Sequence, residues 1–432
     1  MWLKDSVIYQ IYPLGFCKES SSEETGNLRK VIGWIDHYKK LGVNAILFNP
    51  IFESDVHGYD TRDYQVIDRR LGTNEDFRKV CKELHSNGIR VILDGVFNHV
   101  GRGFWAFQDV LKNREQSEYK DWFHINFGQD NGYQDGLSYE GWEGHYDLVK
   151  LNLKNPAVVE HLFQNIKKWV EEFEIDGLRL DVAYCLDTDF LKQIRQFCDT
   201  LKPDFALIGE ILFGDYKRIV NDDMLQSCTN YECYKGIYSS CNDLNLFEIS
   251  YSINRQFGEN GHGIYEGLSM MNFVDNHDVS RLASILKEKQ HLKVAYGIVY
   301  TMPGFPCLYY GSEWGAEGKK EDGDNALRPA FDAPEWNDLT TWIETLGKIR
   351  LESDAIKNGS YRNVTITNKQ LVYERATDKE KVLVAMNLED KPFEIDLKTG
   401  EIDAVDLVTN EKVKLTGKYE IPAYDFSIFQ VK

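Results

Sequence analysis

Short runs of hydrophobic residues alternate with amphipathic helical patterns over about the first 350 residues. In the helical patterns apolar side chains recur every three or four positions, as in Asn27–Leu41. Thr73 or Asn74 caps a second helix and Asn155-Pro156 begins a third, because polar caps and first-turn prolines favour helix starts. The hydrophobic runs predict eight strands: Ser6–Pro13, Asn44–Phe52, Ile89–Asn98, Gly177–Val182, Ala206–Glu210, Gln226–Tyr231, Met271–Asp275 and Cys307–Gly311.

This alternation predicts the fold class. Repeated strand–helix units form a parallel sheet, and eight of them over this length predict an α/β protein with a closed (β/α)8 TIM barrel. An open doubly wound sheet is the alternative. No G-x-G-x-x-G follows the first strand, which argues against the dinucleotide-binding form of that sheet.

Two stretches depart from the alternation. Residues 101–152 are too long for a strand-to-helix loop and are rich in Trp, Tyr, Gly and Asp, so we predict a subdomain inserted after strand 3. From about Ser360, short alternating runs between Asp, Lys and Gly turns predict a C-terminal all-β sandwich. The predicted domains are therefore the barrel at 1–100 and 153–358, the inserted subdomain at 101–152, and the β-domain at 359–432.

The composition narrows the choice of partners. Hydrophobic residues make up 42% of the 432 residues, which allows a large buried core. The net charge of -19 disfavours nucleic acid and anionic membranes, because their phosphates require Lys and Arg, but it does not disfavour a neutral sugar. We expect a monomer or a homodimer that binds neither nucleic acid nor membrane.

The cysteines and the apolar stretches indicate a cytoplasmic protein. Eight scattered cysteines show neither C-x-x-C nor zinc spacing, and are typical of small buried residues in a reducing compartment. Met1–Ser6 show no hydrophobic signal-peptide region. The longest charge-free apolar stretch, Val294–Ser312, contains two prolines and three glycines, and predicts a helix, a turn and a strand rather than a membrane span.

Acidic residues end several of the predicted strands. Asp94 belongs to the third strand, Asp181 to the fourth, Glu210 to the fifth, and Asp278 follows the seventh. The chemistry of an eight-stranded barrel takes place at the C-terminal ends of its strands, so these acids are expected at one barrel mouth. Helix capping or a salt bridge explains any one of them alone, but explains all of them together poorly.

Such a cluster suits the cleavage of a glycosidic bond. Two carboxyl groups about 5–5.5 Å apart cleave with retention of configuration, and a separation of roughly 6.5–9.5 Å gives inversion. Asp181 and Glu210 lie on consecutive strands, which favours the shorter distance. Because close carboxylates repel, one of them should have a raised pKa, while Arg179, on the strand face of Asp181, is expected to hold Asp181 ionised.

Four segments, DGVFNH, GLRLDVA, IGEI and FVDNHD, resemble in order and spacing the signature segments of the α-amylase family of glycoside hydrolases, family 13. HGYD at 57–60 and GFPCLYYG at 304–311 match as well, so the resemblance covers almost the whole chain. It implies that Asp181 is the nucleophile, Glu210 the acid/base and Asp278 the transition-state stabiliser.

The same resemblance implies a set of substrate-binding residues: Tyr59, Asp94, His99, Arg179, His277, Asp324 and Arg328. The tyrosine would stack on the sugar at the cleavage subsite, and the arginine at 179 and the two histidines would bind its hydroxyls. The residues at 324 and 328 fall where the family often holds the next sugar.

A calcium site is the alternative to a metal-free enzyme. Asn98 matches a position that binds calcium in many α-amylases. The segment after the nucleophile reads Ala183-Tyr184-Cys185, without the Lys-His pair typical of calcium-dependent members, and no EF-hand-like loop is present. We expect no required cofactor and no metal, with Asn98 as the candidate ligand if calcium binds.

YKDWFH at 119–124 and GWEGHYDLVKLN at 141–152 resemble the neopullulanase, cyclomaltodextrinase and maltogenic amylase group. Members typically carry Pro where Val149 stands, and an extra N-terminal domain that assists dimerisation. The sequence begins at the first barrel strand, so we expect this domain to be absent and the cleft to be more open. Trp105, Trp122 and Trp142 either line that cleft or form the core of the subdomain.

The resemblance implies a retaining hydrolase of α-1,4 glucosidic bonds, with α-1,6 bonds as further candidates, in maltodextrins, cyclodextrins or pullulan. A glucanotransferase is an alternative, since a sugar can replace water as acceptor with the same residues. An oligo-1,6-glucosidase is another, because Val182 directly after the nucleophile fits it. Non-catalytic glycan-binding relatives usually lack a catalytic acid, whereas all three are present here.

Overall fold

The computed structural model describes residues 2–18, 27–259 and 263–431. The strands are β1 (Ile8–Ile11), β2 (Ala45–Phe48), β3 (Phe52–Ser54), β4 (Thr61–Ile67), β5 (Arg90–Gly95), β6 (His99–Gly101), β7 (Ile125–Asn126), β8 (Ser138–Tyr139), β9 (Gly141–Trp142), β10 (His145–Lys150), β11 (Gly177–Leu180), β12 (Ala206–Gly209), β13 (Ser227–Cys228), β14 (Met271–Asn272), β15 (Phe305–Tyr309), β16 (Ser360–Ile366), β17 (Gln370–Ala376), β18 (Lys381–Asn387), β19 (Phe393–Asp406), β20 (Glu411–Ile421) and β21 (Phe426–Val431).

The α-helices are α1 (Pro13–Phe16), α2 (Lys30–Gly33), α3 (Ile35–Lys40), α4 (Asn74–Ser86), α5 (Trp105–Asn113), α6 (Pro156–Phe173), α7 (Thr188–Leu201), α8 (Tyr231–Asp243), α9 (Phe247–Phe257), α10 (Leu282–Ile285), α11 (His291–Thr301), α12 (Asp324–Leu327), α13 (Asp338–Glu352) and α14 (Asp354–Asn358). Short 3-10 helices lie at Trp2–Asp5, Arg114–Gln116, Lys120–Trp122, Ala183–Cys185, Tyr216–Arg218, Ser312–Trp314 and Lys320–Asp322.

Eight strands form one parallel sheet in the order β13-β12-β11-β5-β2-β1-β15-β14. A parallel bridge between Thr229 and Met271 joins the two outer strands and closes the sheet into a barrel. Each of the eight overlaps a predicted strand, so the predicted (β/α)8 barrel is confirmed. This closure brings the C-terminal ends of all eight strands to one mouth.

Alternate residues of the barrel strands build two cores. Ile8, Leu47, Ile92 and Ile208 pack together in the barrel interior. Their sequence neighbours point outward and join the larger core beneath the helices. The strands are therefore buried on both faces, which explains why they read as continuous hydrophobic runs rather than alternating ones.

The helix starts that were predicted from capping residues are confirmed, whereas the helix that was predicted from apolar spacing over 27–41 is interrupted. Thr73 accepts from the backbone of Asp76 in a capping box, and Asn155 caps α6. The single helix predicted over 27–41 is instead two helices, α2 and α3, because the chain leaves helical geometry at Trp34. Gly33, a poor helix former, directly precedes this break, and the Trp34 ring packs edge-on against Phe16, with ring centroids 4.7 Å apart.

A subdomain is inserted after β5, the third barrel strand, as predicted. It contains α5, a small sheet in the order β6-β10-β9 and the hairpin β7–β8. The chain then returns to the barrel through α6. The β9–β10 hairpin carries Trp142 and His145 over the mouth of the barrel.

The C-terminal domain is all-β, as predicted. Strands β16 to β21 form one antiparallel sheet in the order β16-β17-β18-β21-β19-β20. The sheet bends over itself, so that Thr365 Oγ1 on β16 donates to the Asp396 carbonyl on β19 at 2.5 Å. Val372, Leu383 and Leu415 fill the core between the two halves. One continuous sheet thus supplies both layers of the predicted sandwich.

All eight cysteines are free, and all but Cys185 are buried. The apolar stretch at 294–312 folds into α11, a turn and β15, as its prolines and glycines predicted. Across the described residues, none of the helices combines the length and the apolar character that crossing a membrane requires.

Candidate active site

The barrel mouth holds a cavity of about 600 Å³. Seven of the ten predicted catalytic and binding residues line it: Tyr59, His99, Asp181, Glu210, Asp278, Asp324 and Arg328. The other three, Asp94, Arg179 and His277, are buried behind this lining and bond to it. The tertiary structure therefore brings all ten together.

Arg179 binds three carboxylates at the floor of the cavity. Its Nη1 lies 2.6 Å from Asp94 Oδ2 and 3.1 Å from Asp181 Oδ1, and its Nη2 lies 3.0 Å from Glu210 Oε2. The parallel pairing of β11 with β5 and β12 places these residues side by side, because it aligns Arg179 with Asp94 and Leu180 with Gly209. A planar guanidinium is suited to orient several carboxylates at once.

Asp181 sits in a strongly anionic and buried position. Burial raises the pKa of Asp181 well above its usual range, Arg179 lowers it, and the charges of Glu210 and Asp94 raise it further. From the sequence, we predicted that Arg179 holds Asp181 ionised. The structure shows why one arginine is insufficient: its single positive charge is divided among three carboxylates. The protonated form of Asp181 is therefore more favoured here than it is for a solvent-exposed aspartate.

Val182 adopts a strained backbone conformation directly after Asp181. Its φ of 40° and ψ of 46° lie in the left-handed region, which a β-branched residue rarely occupies. In this conformation the Val182 N–H donates to Glu210 Oε2 at 3.0 Å. Backbone strain of this kind is concentrated at functional sites, and here it helps to orient Glu210.

Asp278 stands across the cavity and is held from two sides. Its Oδ2 lies 3.0 Å from His277 Nε2, and its Oδ1 lies 3.0 Å from Arg328 Nη2. Burial raises the pKa of Asp278, but the charge and hydrogen bond of His277 and the charge of Arg328 outweigh it and hold this pKa well below its usual range. Asp278 is therefore ionised at neutral pH, while its side chain stays 37% exposed to the cavity.

Tyr59 lines the cavity, and the buried His277 ring packs behind it. Their rings are nearly parallel, with an interplanar angle of 7° and centroids 5.5 Å apart, and the Tyr59 hydroxyl donates to Asp94 Oδ2 at 2.9 Å. Gln10 Nε2 lies 3.0 Å from His277 Nδ1, and Asn49 Nδ2 donates to Asp94 Oδ2 at 3.0 Å. Sequence reasoning missed Gln10 and Asn49. A signal was present, since both are polar residues within otherwise apolar strand runs.

His99 offers a hydrogen bond to the cavity. Its Nε2 is buried without a hydrogen-bond partner among the described residues, and lies 3.9 Å from Asp181 Oδ2. Burial lowers the pKa of His99 to about 3, so the ring is neutral at physiological pH. An unpaired buried polar atom is costly, and a ligand hydroxyl is a suitable partner for it.

The three tryptophans of the subdomain separate into two roles. Trp142 lines the cavity and stacks on His145, with ring centroids 5.5 Å apart. Trp105 and Trp122 pack against each other and against Tyr119 away from the cavity; Trp122 is buried, whereas Trp105 is partly exposed to solvent. Only the first of the three is placed to contact a ligand in the cavity.

Further lining residues escaped the sequence analysis: His57, Asp147, Leu148, Tyr184, Leu212, Tyr231, Val279 and Lys320. Val279 directly follows Asp278, and Leu212 lies two residues after Glu210; for these two, closeness to a strand-end acid was the available signal. Val149, where relatives of the resembled group carry Pro, is buried in β10 and pairs with Val100, so Leu148 rather than Val149 faces the cavity.

Asn98, the calcium candidate, lies buried beside His99. Its Nδ2 lies 3.1 Å from His99 Nδ1, and its carbonyl accepts from the Leu151 N–H. Calcium requires six to eight oxygen ligands. Within residues 2–18, 27–259 and 263–431, no group of three His, Cys, Asp or Glu side chains is arranged to hold a metal ion.

The arrangement agrees with the comparison to known families. The family described as alpha amylase, catalytic domain, matches residues 10–340. The chain belongs to the α-amylase family of glycoside hydrolases. The family described as maltogenic amylase, C-terminal domain, matches residues 361–428 of this glycoside hydrolase.

Individual relatives narrow the position within the α-amylase family. The chain is 32% identical to a cyclomaltodextrinase of a Bacillus species over 415 residues, which covers 89% of this chain and 73% of the relative. It is 31% identical to a maltogenic alpha-amylase of Bacillus acidopullulyticus over 469 residues, covering 99% and 78% of the two chains. The predicted family and subgroup are therefore confirmed.

The fold of this glycoside hydrolase also matches solved structures. One is the cyclic alpha-maltosyl-(1→6)-maltose hydrolase of Arthrobacter globiformis, with a TM-score of 0.86, 27% identity and coverage of 100% of both chains.

Proposed function

We propose that this enzyme hydrolyses α-linked glucose oligosaccharides with retention of configuration. Asp181 acts as the nucleophile, Glu210 as the acid/base and Asp278 as the transition-state stabiliser. The observation that carries the proposal is the shared guanidinium of Arg179, which holds Asp181 and Glu210 side by side at a cavity that Asp278 also lines. Two adjacent carboxyl groups, one to attack and one to donate a proton, are the machinery that retention requires.

The first step breaks the glycosidic bond. An Asp181 carboxylate oxygen forms a bond to the anomeric carbon while the bond from that carbon to the leaving oxygen breaks, and the leaving oxygen takes a proton from Glu210. In the reactive complex Glu210 must be protonated and Asp181 ionised, because only an ionised Asp181 can attack. Arg179 contacts both groups and stabilises either charge distribution.

The second step releases the sugar. Glu210, now ionised, removes a proton from water, and the water oxygen bonds to the anomeric carbon as the ester bond to Asp181 breaks. Positive charge develops on the sugar ring in both transition states. Asp278 stabilises it, because its low pKa keeps it ionised.

The other residues of the mouth position the sugar. Tyr59 presents a ring that is braced by the parallel ring of His277. The unpartnered Nε2 of His99 donates to a hydroxyl beside Asp181. Asp324 and Arg328 hold the neighbouring sugar at the opposite rim, where Asp324 also pairs with Lys320.

The substrates are α-1,4-linked maltodextrins and cyclodextrins, with α-1,6 bonds in pullulan as additional targets. The relatives named cyclomaltodextrinase, maltogenic alpha-amylase and neopullulanase support this range. The cyclic alpha-maltosyl-(1→6)-maltose hydrolase matches along both complete chains, and this favours a cyclic oligosaccharide with 1→6 links as a second candidate.

A product analysis tests the proposal. The enzyme is incubated separately with maltodextrin, β-cyclodextrin, pullulan and cyclic α-maltosyl-(1→6)-maltose, and products are followed by chromatography and by proton NMR. We expect the α-anomer to appear first, with the β-anomer growing only by mutarotation. Initial β-anomer would contradict retention. Longer oligomers as the main products from maltotriose would favour the glucanotransferase alternative, and binding without turnover would refute a hydrolase.

We further propose that hydrolysis needs no cofactor. In the steps above, the charges and protons are supplied by this chain's own carboxyl groups and Arg179. We expect EDTA to leave both the initial rate and the thermal unfolding temperature unchanged. A rate that falls with EDTA and recovers with added calcium would contradict this.

We propose a cytoplasmic location for the enzyme, as a monomer or a homodimer. The eight free cysteines suit a reducing compartment. The intracellular maltogenic amylase of Bacillus subtilis, 33% identical over 346 residues, supports the location. Cell fractionation tests the location, and size-exclusion chromatography with light scattering tests the oligomeric state. Secretion of the folded enzyme would contradict the cytoplasmic location.

A further inference from the structure

Arg281 is a fully buried arginine that lies three residues after Asp278 and outside the catalytic cluster. Its Nη1 donates to the Tyr310 carbonyl at 2.9 Å and to Ser312 Oγ at 3.1 Å. Its Nη2 donates to the Leu327 carbonyl at 3.0 Å. One side chain therefore joins three segments: the loop after β14, the end of β15, and α12.

Burying this guanidinium is expensive for the fold. Its Nε has no hydrogen-bond partner among the described residues, and a buried charge loses its hydration. The rings of Tyr309 and Tyr310, 4.6 and 5.4 Å from the guanidinium carbon, offset part of the cost. Ser312 also donates to Asp275 Oδ1 at 2.9 Å and so connects the arginine to a carboxylate. A buried charge retained at such a cost suggests a role beyond stability.

The carbonyl that Arg281 holds belongs to Leu327, the residue before Arg328. The Tyr309 hydroxyl donates to the same carbonyl at 3.0 Å. On the other side of Arg328, the Tyr310 hydroxyl donates to the Pro329 carbonyl at 2.8 Å. The backbone on both sides of Arg328 is thus fixed by buried donors from β15 and from the loop after β14.

Arg328 in turn contacts the catalytic carboxylate. Its Nη2 lies 3.0 Å from Asp278 Oδ1, and its Nε donates to the His277 carbonyl at 3.1 Å. Its guanidinium lies 4.5 Å above the Tyr12 ring. A shift of the Leu327 backbone would therefore move Arg328, and with it the contacts that orient Asp278 and hold the His277 carbonyl.

We propose that Arg281 and Tyr309 are positioning residues for hydrolysis: by holding the Leu327 carbonyl they fix Arg328 against Asp278. This inference rests on the proposed role of Asp278. A misplacement of about 1 Å at a catalytic group can cost on the order of 100-fold in rate. The effect should fall on kcat rather than on KM, because Asp278 stabilises charge that develops only in the transition state.

The test compares Arg281→Lys and Tyr309→Phe with matched controls at the opposite end of the barrel. Arg350 is also fully buried, and it donates to the carbonyls of Lys4 and Gly304 at 2.9 and 2.6 Å, near the N-terminal ends of β1 and β15. Tyr300 is buried, and its hydroxyl finds no hydrogen-bond partner in the part of the chain that the structure describes. Arg350→Lys thus repeats the change of Arg281→Lys, and Tyr300→Phe repeats that of Tyr309→Phe, both at positions away from the mouth.

Kinetics are measured on maltodextrin well below each variant's unfolding temperature. We expect Arg281→Lys to lower kcat about 10- to 100-fold and Tyr309→Phe about 3- to 10-fold, with KM nearly unchanged. Arg350→Lys should lower the unfolding temperature and keep wild-type kcat, and Tyr300→Phe should change neither. In an Arg328→Ala background, Arg281→Lys should add little further loss, because both act through one contact.

Wild-type kcat in folded Arg281→Lys and Tyr309→Phe would overturn the proposal, and so would an equal loss of kcat in Arg350→Lys. If Arg281→Lys does not fold, Tyr309→Phe decides alone. Asp278→Asn in the same assay separates this inference from the proposed function. An active Asp278→Asn enzyme would refute the role of Asp278. An inactive one beside normal Arg281 and Tyr309 variants would refute only the positioning.

Discussion

Replacing Asp181 by Asn is expected to lower kcat on maltodextrin by a factor on the order of 10⁴ or more. The amide keeps the shape of the side chain but removes the oxygen nucleophile, so no glycosyl-enzyme can form. Asp199→Asn is the control, because Asp199 lies on α7, is half-exposed and pairs with Arg195 rather than with the carboxylates of the mouth. It should retain wild-type kinetics, and substantial activity in Asp181→Asn would refute the nucleophile assignment.

The same substitution should not destabilise the fold. The folded state raises the pKa of Asp181, so this residue favours folding below its unfolded pKa of about 3.9 and opposes it as pH rises through the folded pKa. Asn carries no charge to bury. We expect the unfolding temperature of Asp181→Asn, relative to the wild type, to increase from acidic to neutral pH in scanning calorimetry. A variant that loses stability as pH rises would contradict the raised pKa.

A smaller side chain at this position allows a direct test of geometry. In Asp181→Ala, azide can enter the vacated space and attack the anomeric carbon of an activated α-glucosyl fluoride, with fluoride as leaving group. The new carbon–nitrogen bond then forms on the face that Asp181 normally attacks, and the product is the β-glucosyl azide. Recovery of activity with azide but formation of the α-azide would place the nucleophile elsewhere.

Replacing Glu210 by Gln is expected to lower kcat on oligosaccharides about 10²–10⁴-fold. Glutamine cannot protonate the leaving oxygen, although its side-chain carbonyl can still accept from the Val182 N–H. The loss should be much smaller for a 4-nitrophenyl α-glycoside, since nitrophenolate leaves without a proton. This dependence on the leaving group distinguishes an acid from a residue that only binds substrate.

Glu143 supplies the control for this prediction. It lies exposed at the rim of the mouth, with Oε1 3.4 Å from the Tyr184 hydroxyl, and has no contact with the carboxylate cluster. Glu143→Gln should therefore behave like the wild type on both substrates. If Glu210→Gln slows both substrates by the same factor, Glu210 is not the general acid.

The sequence pattern predicted the barrel because each of its strands and helix starts depends mainly on neighbouring residues in the chain. Each barrel strand is a continuous hydrophobic run buried on both faces, and caps such as Thr73 and Asn155 mark helix starts through bonds to nearby residues. The exception is the break at Trp34, whose ring contacts the distant Phe16. Local patterning cannot predict that contact, since its partner lies outside the segment.

The sequence by itself determined which side chains stand at the strand ends, and hence that Asp181, Glu210 and Asp278 meet at one mouth. Only the tertiary structure decided how charge is distributed there. One guanidinium contacts three carboxylates, and its charge does not outweigh the effect of burial on Asp181. The pKa of Asp181 is therefore raised, whereas its closeness to Arg179 in the sequence had predicted that it would be ionised. Electrostatics depends on burial and on every neighbouring charge, and neither is encoded in the spacing of residues along the chain.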